Sequence, residues 1–192
     1  MNDAVKMLLI VAGVTTGCGL LLSGAHDLTR ERITMQQLRY VKGPAVRAVL
    51  EGADNDPLAD RIEVQLADTA VLLFPGKTDG KLTGIAIETT AQGYGGTVNV
   101  MTGFDPETGI CRAIAIAGAS ETPGIGSRIT DPAFTRCFKG LACSTQASLR
   151  SGGGTIDGIS GATISSRAVC GAVGKAQQLF LAVRAILRKG EQ

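Results

Sequence analysis

The sequence predicts an α+β fold in which a mostly antiparallel sheet packs against helices, preceded by one N-terminal transmembrane helix. Three observations predict this class. Residues 7–25 contain no charged side chain. Residues 61–117 hold short segments that alternate apolar and polar side chains or run apolar, separated by turn residues, as antiparallel strands do. Residues 165–189 carry an apolar stripe at helical spacing, and strands followed by a long packing helix make an α+β domain.

The uncharged stretch at residues 7–25 is long enough to cross a bilayer. Nineteen helical residues, at about 1.5 Å each, reach roughly 28 Å. We therefore expect a membrane anchor over residues 1–26 and a second domain over residues 27–192. The first part of that domain, residues 27–50, is predicted to be a helical connector.

Two other interpretations of the N-terminal stretch stay open. The small residues at 23–25 resemble a signal-peptidase site, so the segment is alternatively a cleaved signal peptide. It is otherwise a buried core helix. If it is an anchor, Lys6 and the amino terminus favour a cytoplasmic start with the rest of the chain exported.

Charge and histidine content exclude several classes of function. The 192 residues include 19 basic and 17 acidic side chains, a net charge of +2, and the cations are spread singly along the chain rather than in a basic stripe. We therefore expect no nucleic-acid partner. The single histidine, His26, rules out a Ser-His-Asp triad or a multi-histidine metal site built from this chain alone. Any chemistry is expected to come from a cofactor.

The cysteines have no spacing typical of metal ligands. No C-x-x-C pair is present, so they do not predict a zinc or iron–sulfur site. Cys111 and Cys170 lie in apolar segments and are expected to pack as small hydrophobic residues. Cys137 and Cys143 would be able to form a disulfide if the domain is exported, a point that the sequence leaves open.

Four or five mostly antiparallel strands are expected between residues 61 and 117. The predicted strands are residues 61–66, 70–74, 82–88, 97–104 and 110–117. Asp79-Gly80 tolerates positive φ and predicts a hairpin turn, and residues 105–109 join a second hairpin.

Two further helices are predicted after the strands. Asp131-Pro132 is typical of a helix start, with aspartate as the N-cap and proline at the first helical position, and predicts a short helix over residues 131–138. A long helix is predicted over residues 165–189. Its apolar stripe consists of Val169, Val173, Ala176, Phe180, Val183 and Leu187.

The glycine-rich segment at residues 152–166 immediately precedes the long helix. Glycines allow the backbone to approach a ligand closely, and the free N–H groups of a helix start favour a phosphate near Thr163. In the alternative interpretation, Ser160, Thr163, Ser165 and Ser166 are merely capping residues. The segment lacks the Gly-Lys-Ser/Thr of a P-loop, which argues against nucleotide hydrolysis.

Three stretches resemble a known family in the family's own order. The run Asp157-x-x-Ser160-Gly161-Ala162-Thr163 resembles the flavinylation motif of the FMN-binding domain found in RnfG proteins of the Rnf complex and in NqrC proteins of the sodium-pumping NADH:quinone reductase. The other two stretches are Gly93-Tyr94-Gly95-Gly96 and Glu121-Thr122-Pro123-Gly124-Ile125-Gly126. With the anchor in front, the resemblance spans nearly the whole chain.

The resemblance implies a covalent cofactor. In that family the phosphate of FMN is esterified to the threonine that ends the motif, which is Thr163 here. A separate flavin transferase installs the group by splitting FAD in the presence of magnesium. FMN and this transferase are therefore an expected cofactor and an expected maturation partner.

The resemblance also implies which residues bind the cofactor. Besides Thr163 they are Asp157, Ser160, Gly161, Ala162, Glu121, Thr122, Gly124 and Tyr94. Asp157 and Ser160 are parts of the motif that the transferase recognises, Ser160 is also expected to hydrogen-bond the phosphate, and Gly161 and Ala162 belong to the same motif. Residues 121–126 are expected to form a rim near the isoalloxazine ring, and Tyr94 is a candidate to line the ring pocket. Ordinary turn and capping chemistry is the alternative role for these loops. The family often has a histidine before the Glu-Thr-Pro-Gly stretch, but this chain has Ser120.

The implied function is that of an electron-carrier subunit in a membrane-bound, ion-translocating oxidoreductase of the Rnf type. Such a complex couples electron transfer between ferredoxin and NAD to the movement of Na⁺ or H⁺. The other subunits of the complex are expected partners, and the soluble domain is expected on the extracytoplasmic side of the inner membrane. No catalytic side chain and no metal site are expected, because the flavin does the redox chemistry. The isolated chain is not expected to turn over NADH, because its sequence has no nicotinamide-binding fingerprint and no cluster ligands.

Three other functions remain as alternatives. The nearest is the corresponding quinone-reductase subunit, which is usually longer between anchor and flavin motif. A second is a protein that binds FMN without a covalent bond. A third, a pilin-like structural protein, generally needs an acidic residue within its apolar helix, and residues 7–25 contain none.

Overall fold

A computed structural model describes residues 3–66 and 69–190 of the chain. The chain divides into two compact units, Met1–Arg39 and Tyr40–Gln192. The first unit is dominated by helix α1 (Asp3–Gln36). The segment Asp3–Arg30 of this helix is long and apolar enough to cross a membrane, and none of its most apolar window is buried.

The connector remains helical but changes its winding. A π-helical segment, Gln37–Lys42, follows α1 and leads into the short helix α2 (Gly43–Val49), which has Pro44 in its first turn. The π-helical segment ends at the Gly43-Pro44 step, where proline has no N–H to donate to the preceding helical turn.

The second unit is built on a five-stranded antiparallel sheet in which each strand pairs with the next along the chain. The strands are β1 (Ile62–Leu66), β2 (Thr69–Thr78), β3 (Lys81–Gln92), β4 (Thr97–Phe104) and β5 (Cys111–Ala119). Asp79 and Gly80 have φ of 51° and 75°, which confirms the turn predicted between β2 and β3. The predicted fold class is confirmed.

Helices cover both faces of the sheet. The long helix α4 (Thr163–Gly190) packs on one face, where Phe180 stacks on Phe104 of β4 with ring centroids 4.7 Å apart. The neighbouring Gly103 points to the other face, against Val49 of α2. A Cβ at Gly103 would lie 2.5 Å from the carbonyl oxygen of Val49, so glycine lets α2 approach the sheet closely.

The predicted stripe of α4 is buried as expected. Val169, Val173, Ala176, Phe180 and Val183 are all 1% exposed or less, whereas the side chain of Leu187 lies outside the described ones. The helix begins at Thr163, two residues before the predicted start.

The short helix near residue 131 differs from its prediction. Helix α3 covers Pro132–Thr135 and continues as a 3₁₀ turn, Arg136–Phe138. Asp131 has the position of an N-cap, but its side chain makes no capping hydrogen bond. Its carboxylate lies 3.8 Å from Nε of Arg128 instead, so the capping role predicted for the Asp131 side chain is wrong.

All five cysteines lie in the described part of the chain and are free thiols. Cys111 and Cys170 are buried, which confirms that they pack as small hydrophobic residues, and burial raises the pKa of Cys111 to about 12 and that of Cys170 to about 11. Cys137 is exposed and Cys143 half-buried, and the two are not bonded to each other.

Candidate functional site

Three loops meet at one end of the sheet. The turn at residues 93–96 joins β3 to β4 and is closed by a hydrogen bond from Gly93 N–H to Gly96 O, 2.8 Å long. The loop at residues 120–125 leaves β5 at the same end, because β5 runs antiparallel to β4 and Ala119 pairs with Val98. The glycine-rich segment and the first turn of α4 complete the site.

These loops enclose a cleft of about 680 Å³. The sheet loops contribute Tyr94, Glu121, Thr122, Ile125 and Gly126 to its lining. The start of α4 contributes Gly161, Ala162, Thr163, Ile164 and Ser165. The volume is in the range of small-molecule and cofactor sites.

The start of α4 presents free donors and a free hydroxyl to the cleft. Gly161 has φ of 81°, a left-handed conformation that glycine adopts without strain and that turns the chain into the helix. Ser166 N–H donates to Ala162 O. Among the described residues, the backbone N–H groups of Thr163, Ile164 and Ser165 have no acceptor, as expected for the first residues of a helix.

Local hydrogen bonding accounts for one of the four hydroxyls near this helix start, and none of the four caps a first-turn N–H group among the described residues. The Ser166 hydroxyl accepts from Ile159 N–H at 3.1 Å and donates to Ala162 O at 2.9 Å. In the described part of the chain, the hydroxyls of Ser160, Thr163 and Ser165 make no hydrogen bond. The exposed Thr163 hydroxyl is therefore available for other chemistry.

Large apolar side chains border the opening of the cleft. Tyr94 is 72%, Ile125 55% and Ile164 50% exposed, although residues of this size are usually buried. Exposed apolar groups gathered around a concave site are typical of ligand-binding clefts. Together with the N–H donors they provide an apolar wall next to a site for an anion.

The residues singled out from the sequence do not all reach the cleft. Asp157 lies outside it, with its carboxylate 3.2 Å from Nε of Arg150 at the surface. Ser160 is exposed and does not line the cleft, and Gly124 N–H donates to the hydroxyl of Ser127. Tyr94, Glu121, Thr122, Gly161, Ala162 and Thr163 do line it.

Four further residues line the cleft: Ile125 and Gly126, which lie in the rim predicted over residues 121–126, and Ile164 and Ser165, which were absent from the predicted set. The first two end the Glu-Thr-Pro-Gly-Ile-Gly stretch, and the last two follow the motif threonine directly. Their positions within or directly after the recognised motifs were the feature of the sequence that could have identified them as lining residues. Among the residues that the structure describes, no three His, Cys, Asp or Glu side chains are placed to hold a metal ion.

Comparison with known proteins agrees with this geometry. Residues 93–178, which contain all three loops, match the family model described as the FMN-binding domain. The crystal structure of NqrC from Shewanella oneidensis matches with a TM-score of 0.50 and 20% identity, covering 70% of this chain and 72% of that one. This structural likeness shows the fold.

Two curated relatives carry the same name. The G subunit of the ion-translocating oxidoreductase complex of Stutzerimonas stutzeri is 32% identical over 153 residues, with 75% of this chain and 66% of the relative covered. The protein of that name from Cereibacter sphaeroides is 30% identical over 184 residues, covering 89% of this chain and 84% of the relative.

Fold, cleft and domain match define a membrane-associated α+β protein with an FMN-binding domain. Within this class, the chain belongs to the family of G subunits of ion-translocating oxidoreductase complexes. This confirms the resemblance drawn from the three sequence motifs.

Proposed function

We propose that this chain is the electron-carrier subunit of an Rnf-type complex and holds FMN through a phosphoester on Thr163. One observation carries the proposal: the Thr163 hydroxyl stands on the first residue of α4, in the lining of the cleft, and neither it nor the three adjacent N–H groups has a hydrogen-bond partner among the described residues. An FMN phosphate at this position would be linked where the helix start favours negative charge.

The proposed attachment reaction transfers the FMN half of FAD to Thr163. The Thr163 oxygen forms a bond to the phosphorus of the FMN half, the phosphoanhydride bond of FAD breaks, AMP leaves, and the hydroxyl proton passes to a base. A magnesium-dependent flavin transferase is the proposed agent. The product is a phosphodiester with one negative charge, which the helix start would stabilise by about 0.3–1 kcal/mol.

The chain's own residues would orient the cofactor rather than react. The N–H groups of Thr163, Ile164 and Ser165 would hold the phosphate, while Tyr94 and Ile125 would provide apolar contact for the ring. The bound flavin supplies the electron transfer, and the protein positions it. Asp157 and Ser160, outside the cleft, would serve the transferase instead.

The family and helix α1 support a proposal for the partners of this domain and for the side of the membrane on which it lies. Relatives are named as subunits of ion-translocating oxidoreductase complexes, so we propose the other subunits as partners and ferredoxin and NAD as the ends of the electron path, coupled to Na⁺ or H⁺ movement. Lys6 supports a cytoplasmic start, with the domain on the extracytoplasmic side. A covalent bond would keep FMN in a compartment where lost cofactor is not replaced.

Substitution at Thr163 tests the linkage. The full chain is co-expressed with a flavin transferase as wild type, Thr163→Ala and Thr163→Ser, with Thr155→Ala as a control in the same segment. Intact-mass spectrometry and flavin fluorescence on denaturing gels should show the adduct in wild type and Thr155→Ala and none in Thr163→Ala. The Thr163→Ser chain keeps a hydroxyl and should retain at least part of the adduct.

Two outcomes would contradict the proposal. An FMN-sized adduct on Thr163→Ala would place the bond elsewhere. Yellow wild-type protein that loses all its flavin on denaturation would show non-covalent binding instead.

A further inference from the structure

The Glu121 carboxylate bridges two of the three loops around the cleft. Its Oε1 accepts a hydrogen bond from Tyr94 N–H at 2.9 Å, and its Oε2 accepts one from Gly95 N–H at 3.1 Å. Both bonds are assisted by the negative charge and are stronger than bonds between neutral groups. Glu121 thus ties the loop after β5 to the turn between β3 and β4.

Glycines leave room for this carboxylate on two sides. A Cβ on Gly93 would lie 2.0 Å from Oε1 of Glu121, and a Cβ on Gly126 would lie 2.4 Å from Oε2. Either methyl group would have to displace the carboxylate, which is the movable end of a flexible side chain. Glycines of both motif stretches therefore surround the same carboxylate.

The bridge sets the positions of residues that face the cleft. Tyr94 lies on one of the joined loops, and Thr122 and Ile125 lie on the other. Both oxygens of Glu121 are engaged by backbone amides of its neighbour loop. A side chain held in this way acts on the cleft chiefly through the loops that it joins.

We infer that Glu121 is a positioning residue that locks the turn at residues 93–96 to the loop at residues 121–126 and so orders the wall of the cleft against which the flavin ring would lie. The inference rests on the proposed function for its effect on the flavin. The bridge itself is a property of the chain without cofactor.

Hydrogen–deuterium exchange of the full-length, flavin-free chain in detergent micelles tests the bridge. Glu121→Ala should raise the exchange rate of the Tyr94 and Gly95 amides by about tenfold or more, since two hydrogen bonds are lost. Gly126→Ala should do the same with Glu121 still present. Gly152→Ala is the matched control, because its Cβ would meet open space, and should leave both amides unchanged.

Visible circular dichroism of the flavinylated chain tests the effect on the cleft. Glu121→Ala and Gly126→Ala should still carry FMN on Thr163, but their flavin signal should fall toward that of free FMN. Glu121→Gln keeps one carbonyl acceptor and should restore part of both the amide protection and the flavin signal.

Two results would overturn the inference. Unchanged exchange of Tyr94 and Gly95 in Glu121→Ala would show that the carboxylate does not hold the turn. A flavin signal altered by Glu121→Ala but not by Gly126→Ala would assign Glu121 a direct contact with the ring. A wild-type chain without covalent flavin would refute the proposed function and leave the exchange result standing.

Discussion

Ser166 shows how one hydroxyl shapes the start of α4. It accepts from Ile159 N–H and donates to Ala162 O, so it ties the glycine-rich segment back onto the helix. The side chain is fully buried. The nearby Thr163 hydroxyl takes no part in this arrangement and faces the cleft without a hydrogen bond to the described residues.

Removing this hydroxyl should destabilise the domain. Ser166→Ala leaves Ile159 N–H without its acceptor, and we expect the free energy of unfolding to fall by about 1–3 kcal/mol. Urea denaturation of the full chain in detergent measures the change. The exposed Ser151 serves as control, and Ser151→Ala should stay within about 0.5 kcal/mol of wild type. Equal stability of both variants would show that Ser166 does not hold the helix start.

Helix α4 links the core to the cleft. Its buried stripe packs on the sheet through Phe180 and Phe104, and Thr89 of β3 donates a buried hydrogen bond to Ala172 O at 2.8 Å. The same helix begins at Thr163 in the cleft. Packing in the middle of the helix therefore decides where its first turn lies.

Truncating the stacked ring should weaken the whole domain. Phe180 is fully buried, so Phe180→Ala should lower the free energy of unfolding by about 3–5 kcal/mol, through lost burial and the cavity that remains. Chemical denaturation measures this loss. The neighbouring Leu181 is 45% exposed, and Leu181→Ala should cost much less. Similar losses for the two variants would contradict the packing described for α4.

The whole molecule consists of a helical unit suited to a membrane and a unit that carries the cleft. The apolar segment Asp3–Arg30 belongs to the first, and all the cleft residues belong to the second. The relatives of this chain are named as G subunits of ion-translocating oxidoreductase complexes. Thiol labelling can determine on which side of the membrane the second unit lies.

Labelling of Cys137 should report that side. Cys137 is exposed, whereas Cys111 and Cys170 are buried and Cys143 is half-buried, and burial raises the pKa of these three thiols, which keeps them protonated at neutral pH. A membrane-impermeant maleimide applied to intact spheroplasts should modify the wild-type chain, and Cys137→Ser should lose that label. Labelling that requires lysis of the spheroplasts would place the domain in the cytoplasm.

Local patterns of apolar and polar side chains predicted most of the helices and strands, but they did not predict how far some strands extend. Strand β4 matches its prediction at residues 97–104, because its first four residues alternate polar and apolar side chains and Phe104 closes the segment before a turn. Strands β2 and β3 extend four residues beyond their predicted ends, to Thr78 and Gln92. Backbone pairing with neighbouring strands supplies these extensions, and it leaves no mark in side-chain polarity.

The sequence by itself determined the apolar N-terminal helix, the antiparallel strands, the amphipathic α4 and the motif that ends at Thr163, since each depends on residues close together in the chain. Only the tertiary structure decided that Tyr94, Glu121 and Thr163 line one cleft. It also decided that Glu121 is held by backbone amides of the turn at residues 93–96. Those contacts join residues far apart in sequence through backbone groups common to every residue, so no local pattern of side chains encodes them.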